Sequence, residues 1–182
     1  MPALQPDQCD SLSRAVDTAM ASADALFADL AKRTADTQGV TRASYGEGEQ
    51  IAHALVEETA RRQGLEIGGD LAGNLYMTLP GRDRSAPALV TGSHLDSVPC
   101  GGNYDGAAGV VAGLAALDAL KRAGITPHRD LTVMAVRSEE CGSWFVGSHG
   151  GHLGSRAALG LMAAEELDTA VHLGSGLCLG EQ

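Results

Sequence analysis

Residues 88–136 alternate between strand-like and helix-like patterns, and this alternation limits the folds open to the chain. Residues 88–91 form a short apolar run, residues 107–123 form a helical stretch of small and apolar residues, and residues 131–136 form a nearly continuous apolar run. The last run is typical of a strand that is buried on both faces. Because a strand, a helix and a second strand in succession favour parallel pairing, the sequence predicts an α/β fold with a central, at least partly parallel sheet.

The remaining patterns predict two helices and two strands before this unit and two weaker helices after it. The expected helices cover residues 17–33, 47–63, 155–161 and 163–168, and the expected strands cover residues 65–67 and 74–79. Gly64 follows the second helix as a stop signal. We therefore expect a flexible lead-in over residues 1–16 and one domain over residues 17–182.

Composition excludes several classes of function. The chain carries 13 Lys and Arg against 23 Asp and Glu, a formal net charge of −10, and only 3% of its residues are aromatic. Because nucleic-acid binding relies on basic groups and aromatic stacking, we expect no nucleic-acid partner. The apolar run in the middle of the chain is too short to cross a bilayer, so we expect no membrane partner. Four widely spaced cysteines and an acidic N-terminus without a signal-peptide pattern predict free thiols and a cytoplasmic location.

Polar residues cluster in three segments at the ends of the predicted strand–helix–strand unit. Residues 92–97 follow the first strand, residues 102–106 precede the helix, and residues 138–140 follow the second strand. In open α/β sheets, ligand sites lie in the crevice outside the carboxyl ends of the strands. We therefore expect the three segments to meet at one edge of the sheet.

The residue types in these segments suit a metal centre. His94 offers an imidazole nitrogen as a ligand, and Asp96 can accept the other ring N–H. Asp105 can bridge two cations, Glu140 can be a second terminal ligand, and Glu139 is then free as a general base. Each feature alone also has a plain structural interpretation. These are a surface pair for His94 and Asp96, a helix N-cap for Asp105, and a solvated strand end for the two glutamates.

Longer motifs carry a family resemblance. The block from Gly92 to Gly106, which contains G-S-H-L-D-S-V-P and G-G-N-Y-D-G, resembles the amidase/hydantoinase/carbamoylase family of metal-dependent hydrolases. This family is related to the co-catalytic zinc aminopeptidases. Further blocks match in the same order, namely G-V-T-R at 39–42, A-G-N-L at 72–75, R-S-E-E at 137–140, W-F at 144–145 and G-S-R-A-A-L-G at 154–160.

The resemblance implies a fold and a chemistry. The implied fold is an α/β, three-layer, zinc-peptidase-like catalytic domain with a mixed, partly parallel central sheet. The implied reaction is hydrolysis of a linear C–N bond in a small ureido, carbamoyl or amide compound, such as an N-carbamoyl-L-amino acid or allantoate. Two divalent ions are implied, zinc first, with manganese, cobalt or nickel as alternatives. His94, Asp105 and Glu140 would bind them, and a metal-bridging hydroxide would attack the carbonyl. Asp96 would orient His94, and Glu139 would be the general base.

The sequence also departs from the family pattern. The family has two further metal-binding histidines and an inserted smaller domain that forms a homodimer, and these 182 residues contain neither. We therefore expect the N-terminal part of a truncated catalytic domain. The alternatives are an active enzyme, an inactive fragment, or a half-protein that needs a partner chain. His149 and His152 are candidate replacement ligands, whereas His53, His128 and His172 are expected to be surface residues.

Overall fold

The computed structural model describes residues 6–148 and 151–182. Its helices are α1 (Pro6–Arg33), α2 (Glu47–Arg62), α3 (Ala107–Arg122), α4 (Leu153–Ala158) and α5 (Glu166–Thr169). Its strands are β1 (Glu66–Gly69), β2 (Leu75–Leu79), β3 (Leu89–His94), β4 (Leu131–Val136), β5 (Phe145–Val146) and β6 (Val171–His172). Two short 3-10 turns cover Cys141–Ser143 and Leu179–Glu181. None of the helices within the described ranges has the length and apolar character needed to cross a membrane.

The main sheet has the strand order β1-β2-β4-β3. The pairs β1–β2 and β2–β4 are antiparallel, whereas β3 and β4 are parallel and are connected through α3. The predicted mixed, partly parallel sheet is therefore confirmed. The parallel register pairs Leu89 with Leu131 and His94 with Val136, so both strands end at the same edge.

The core lies between the sheet and the helices α1, α2 and α3. Alternate residues of β2 are buried, and Met77 pairs with Val133 of β4 on the core side. On the opposite side, Thr78 and Thr132 share a side-chain hydrogen bond of 2.9 Å. In β4 the core side is buried, but Met134 on the other side is only half-buried, so the predicted burial on both faces holds only in part.

Helix α1 begins at Pro6, so the predicted start at residue 17 is wrong, and residues 6–16 belong to a helix rather than to a flexible lead-in. Ala15 and Ala19 of α1 pack against Ala119 of α3 in a small cluster of buried residues. These small side chains allow the two helices to approach closely, but they give a weak sequence pattern because alanine is common on exposed helix faces as well.

Strand β3 is an edge strand of the main sheet in the described structure. Leu89 and Val90 are 61% and 52% exposed, although both belong to an apolar run. An apolar groove of about 540 Å³ continues from Leu89 across Leu120, Ile125 and Leu131. An exposed apolar edge of this kind is a template for pairing with another strand.

The segment after β4 packs around a second, smaller core. Cys141, Phe145, Leu153 and Ala170 are its buried members. The backbone N–H groups of Leu153 and Gly154 donate to the carbonyl oxygens of Ser138 and Arg137 at 3.1 and 3.0 Å, which fixes this segment to the end of β4. The two predicted late helices exist as α4 and α5, but both are shorter than expected.

Candidate metal centre

The structure brings the three polar segments together at the carboxyl ends of β3 and β4. His94 is the last residue of β3 and lies opposite Val136, the last residue of β4. Nε2 of His94 is 3.7 Å from Oε2 of Glu139 and 3.9 Å from Oδ1 of Asp105. In the described part of the chain, ligand atoms of His94, Glu139 and Glu140 lie within 4.8 Å of one another, close enough to hold one metal ion.

Asp96 connects the two strand ends. Its carboxylate is fully buried, and Oδ1 accepts hydrogen bonds from Nδ1 of His94 and from the backbone N–H of Glu139, both at 3.1 Å. Oδ2 accepts the backbone N–H of Glu140 at 3.0 Å and the hydroxyl of Ser44. The interpretation of His94 and Asp96 as a surface pair is therefore wrong. Because Nδ1 donates to Asp96, Nε2 of His94 is left as the ligand nitrogen that faces the acidic side chains.

Gly106 gives the His94 ring its space. A Cβ atom on Gly106 would lie 2.4 Å from Cε1 of His94, and the residue has a φ of +64°. Glycine satisfies both requirements because it lacks a Cβ and adopts positive φ freely. Gly106 is also the N-cap of α3 and has no side-chain cap, so the interpretation of Asp105 as a capping residue is wrong.

The electrostatics of the centre favour a bound cation. Burial opposes the charged form of His94, but the hydrogen bond and charge of Asp96, with the charge of Glu139, outweigh burial and raise the pKa of His94. Burial, followed by the charges of Glu139 and Asp105, raises the pKa of Glu140. Negative charges thus crowd together around Glu140, and a bound cation would relieve their repulsion. Imidazole and carboxylate ligands suit zinc and neighbouring divalent metals, so the residues present fit a metal ion.

Glu49 of α2 supports the centre from the core, and sequence reasoning missed it. Its buried carboxylate accepts the backbone N–H groups of Ser138 at 2.9 Å and Tyr45 at 2.7 Å, and Nη1 of Arg137 lies 3.2 Å away. Burial, followed by the charge of Asp96, raises the pKa of Glu49 to about 7. Ser138 has a φ of +56°, so Glu49 holds a strained residue directly before the two glutamates of the centre.

The structure describes only one of the two candidate replacement ligands, His149 and His152. His149 lies outside the described residues. His152 lies beside the centre, with Nδ1 2.9 Å from Oε1 of Glu139. Within the described ranges, the metal group consists of His94, Glu139 and Glu140 and does not include His152, which contacts one of its members, Glu139.

Two of the expected surface histidines are buried. His53 is 3% exposed, because α2 turns it toward the core, and burial, followed by the charge of Arg137, lowers its pKa to about 3. His172 is 7% exposed and stacks on Trp144 at a centroid distance of 6.4 Å. His128 is exposed, as expected. All four cysteines, Cys9, Cys100, Cys141 and Cys178, are free thiols, as predicted.

The model of peptidase family M28 matches residues 74–171, more than half of the chain. The ureidoglycolate hydrolase of Arabidopsis thaliana is 35% identical over 138 residues, which are 75% of this chain and 28% of that protein. The N-carbamoyl-L-amino acid amidohydrolase of Geobacillus stearothermophilus is 38% identical over 130 residues, which are 71% of this chain and 31% of that protein.

A solved structure agrees with these relatives. The hydantoinase/carbamoylase family amidase of Burkholderia ambifaria superposes with a TM-score of 0.79 at 30% identity, over 88% of this chain and 38% of that chain. The chain thus spans about three tenths of the curated relatives and under two fifths of this structure. The resemblance predicted from the motifs is confirmed. The chain belongs to peptidase family M28 and is related to the hydantoinase/carbamoylase amidases.

Proposed function

We propose that the chain is the N-terminal part of a metal-dependent amidohydrolase that hydrolyses a linear C–N bond in a small ureido, carbamoyl or amide compound. The observation that carries the proposal is the convergence of His94, Glu139 and Glu140 within 4.8 Å, with Asp105 beside them. N-carbamoyl-L-amino acids and allantoate are the first substrates to test, because curated relatives are named for hydrolysis of these compounds.

Each residue of the centre has a proposed role. His94, Asp105 and Glu140 hold two divalent ions, of which zinc is the first candidate and manganese, cobalt or nickel the alternatives. When bound, the ions polarise the substrate carbonyl and lower the pKa of water. Glu139 holds the proton taken from water and delivers it to the leaving nitrogen. Asp96 keeps Nδ1 of His94 protonated, which directs Nε2 to the centre. We also propose a cytoplasmic location for the chain, which its free cysteines support.

The exposed edge of β3 supports a second candidate. In this candidate the chain is one half of the catalytic unit, and a partner polypeptide pairs with β3 and supplies further metal ligands. The exposed side chains of Leu89 and Val90 favour it, because native sheets rarely leave apolar edges uncovered. The isolated chain would then fold without turning over substrate.

Ammonia release separates the two candidates. The purified chain is assayed after loading with zinc or manganese, with N-carbamoyl-L-amino acids and allantoate as substrates. The first candidate predicts hydrolysis that is lost in Glu139→Gln, because glutamine cannot accept the proton. The second predicts no hydrolysis by the chain alone, together with self-association that Val90→Lys reduces in light scattering. Hydrolysis that is unchanged in Glu139→Gln would contradict the role proposed for Glu139.

A further inference from the structure

Glu139 contacts two imidazole rings, one with each carboxylate oxygen. Oε2 lies 3.7 Å from Nε2 of His94, and Oε1 lies 2.9 Å from Nδ1 of His152. The second distance is within hydrogen-bonding range, whereas the first is too long for a hydrogen bond. Oε1 of Glu139 therefore lies against the ring of His152, while Oε2 faces the centre.

The backbone fixes His152 beside Glu139. Leu153, the next residue, is fully buried, and its N–H donates to the carbonyl oxygen of Ser138, the residue before Glu139, at 3.1 Å. Gly154 donates to Arg137 at 3.0 Å in the same way. His152 itself has φ 51° and ψ 47°, a left-handed conformation that costs a non-glycine residue on the order of 1 kcal/mol. The strain is borne at the residue that contacts the predicted base.

We propose that His152 is a positioning residue for Glu139, an inference that rests on the proposed function. Its Nδ1–H donates to Oε1 and keeps Oε2 turned toward His94. This hydrogen bond limits the number of carboxylate oxygens that Glu139 can offer to a cation. A carboxylate with one oxygen occupied by an N–H donor presents only the other to the centre, so Glu139 remains available for proton transfer and is disfavoured as a bidentate ligand.

Nuclear magnetic resonance of the metal-free chain tests the contact directly. In a neutral histidine, the hydrogen bond made by one ring nitrogen sets which nitrogen carries the proton. With ¹⁵N-labelled histidine under mildly alkaline conditions, we expect His152 to carry its proton on Nδ1 and to lose this preference in Glu139→Ala. The His152→Asn spectrum assigns the signal, because it lacks that ring. Identical ring signals in the wild-type chain and in Glu139→Ala would overturn the proposal.

Kinetics test the positioning role. His152→Leu should lower kcat about 10-fold with little change in KM or Tm, as is usual when a hydrogen-bonded partner of a site residue is removed. His152→Asn should recover most of the activity, because its amide N–H can donate to the same oxygen. Full kcat in His152→Leu would overturn the proposal, as would failure of His152→Asn to recover any. If the wild-type chain shows no turnover with any metal, the proposed function fails for the isolated chain, and the resonance experiment still decides the contact.

Discussion

The carboxylate of Asp96 binds the backbone of Glu140, 44 residues further along the chain, through a hydrogen bond of 3.0 Å from the Glu140 N–H to Oδ2. The same carboxylate holds the ring of His94 and the N–H of Glu139 through Oδ1. One buried side chain therefore sets the distance between the ends of β3 and β4. These bonds are made by protein groups alone, so the fold itself positions His94, Glu139 and Glu140 at the centre.

Asp96→Asn should destabilise the chain by roughly 3 kcal/mol, since a buried donor left without an acceptor costs about 1 to 3 kcal/mol and more for a charged partner. Each carboxylate oxygen of Asp96 now accepts two hydrogen bonds. In asparagine one of these oxygens is replaced by an N–H₂ group, which cannot accept a hydrogen bond, so two donors would lose their acceptor. Urea unfolding measures the change. Asp105→Asn is the matched control, because the Asp105 side chain is 57% exposed and its change should stay within about 0.5 kcal/mol. Equal stability of the two variants would contradict the role of Asp96.

Gly106→Ala should displace the His94 ring and weaken metal binding. The new Cβ would lie 2.4 Å from the ring, and alanine at a φ of +64° adds backbone strain, so a stability loss of about 1 to 3 kcal/mol is expected. Thermal unfolding and zinc titration report the two effects. Gly102→Ala, in the same loop, has no neighbouring atom within 4 Å of its Cβ and should behave like the wild type. Wild-type zinc affinity in Gly106→Ala would show that the close approach to His94 is not required.

His53 should make the chain less stable as the pH falls below 6.5. Its pKa is lowered to about 3 in the folded state, first by burial and then by Arg137, so the unfolded chain binds the proton more readily between those values. Stability contributed by neutral His53 is therefore present above pH 6.5 and is lost on acidification. The difference in unfolding free energy between the wild type and His53→Leu should change by up to about 1.4 kcal/mol per pH unit in this window.

The difference in unfolding free energy between the wild type and His53→Leu separates the effect of His53 from that of Glu49. The pKa of Glu49 is raised to about 7, so its contribution falls as the pH rises from 4.5 toward 7, the opposite direction. Because both chains keep Glu49, its effect largely cancels in the difference. His128→Leu, at an exposed histidine, is the control and should follow the wild-type curve. Parallel pH curves for the wild type and His53→Leu would show that His53 is not held neutral by burial.

The sequence predicted the meeting of His94, Asp105 and Glu140 because each follows or precedes a strongly patterned element of the strand–helix–strand unit. Chain order alone places such residues at one sheet edge. Glu49 could not be found in this way. An acidic residue in the first turn of an amphipathic helix has the pattern of a solvent-exposed residue, and its partner, the N–H of Ser138, lies 89 residues away.

The histidines illustrate the same limit. His53 and His172 are polar residues, and the residues next to them in the sequence do not indicate that they are buried. Only the tertiary structure shows that His53 faces the core and that His172 stacks on Trp144. The start of α1 was missed because Ala15 and Ala19 pack through their small size rather than through a strong apolar stripe. Local sequence patterns thus predicted the helices, the strands and the position of the metal centre. Long-range contacts, which those patterns do not contain, determine which histidines are buried and place Glu49 behind the centre.

Metal content of the purified chain, measured by elemental mass spectrometry after dialysis against zinc, shows whether His94, Asp105 and Glu140 form a metal centre. His94→Ala is the control, because it removes the ligand nitrogen that faces Glu139 and Asp105. We expect about two zinc ions per wild-type chain and their loss in His94→Ala. Zinc in the wild-type chain at no more than the His94→Ala level would contradict a metal centre built from these residues.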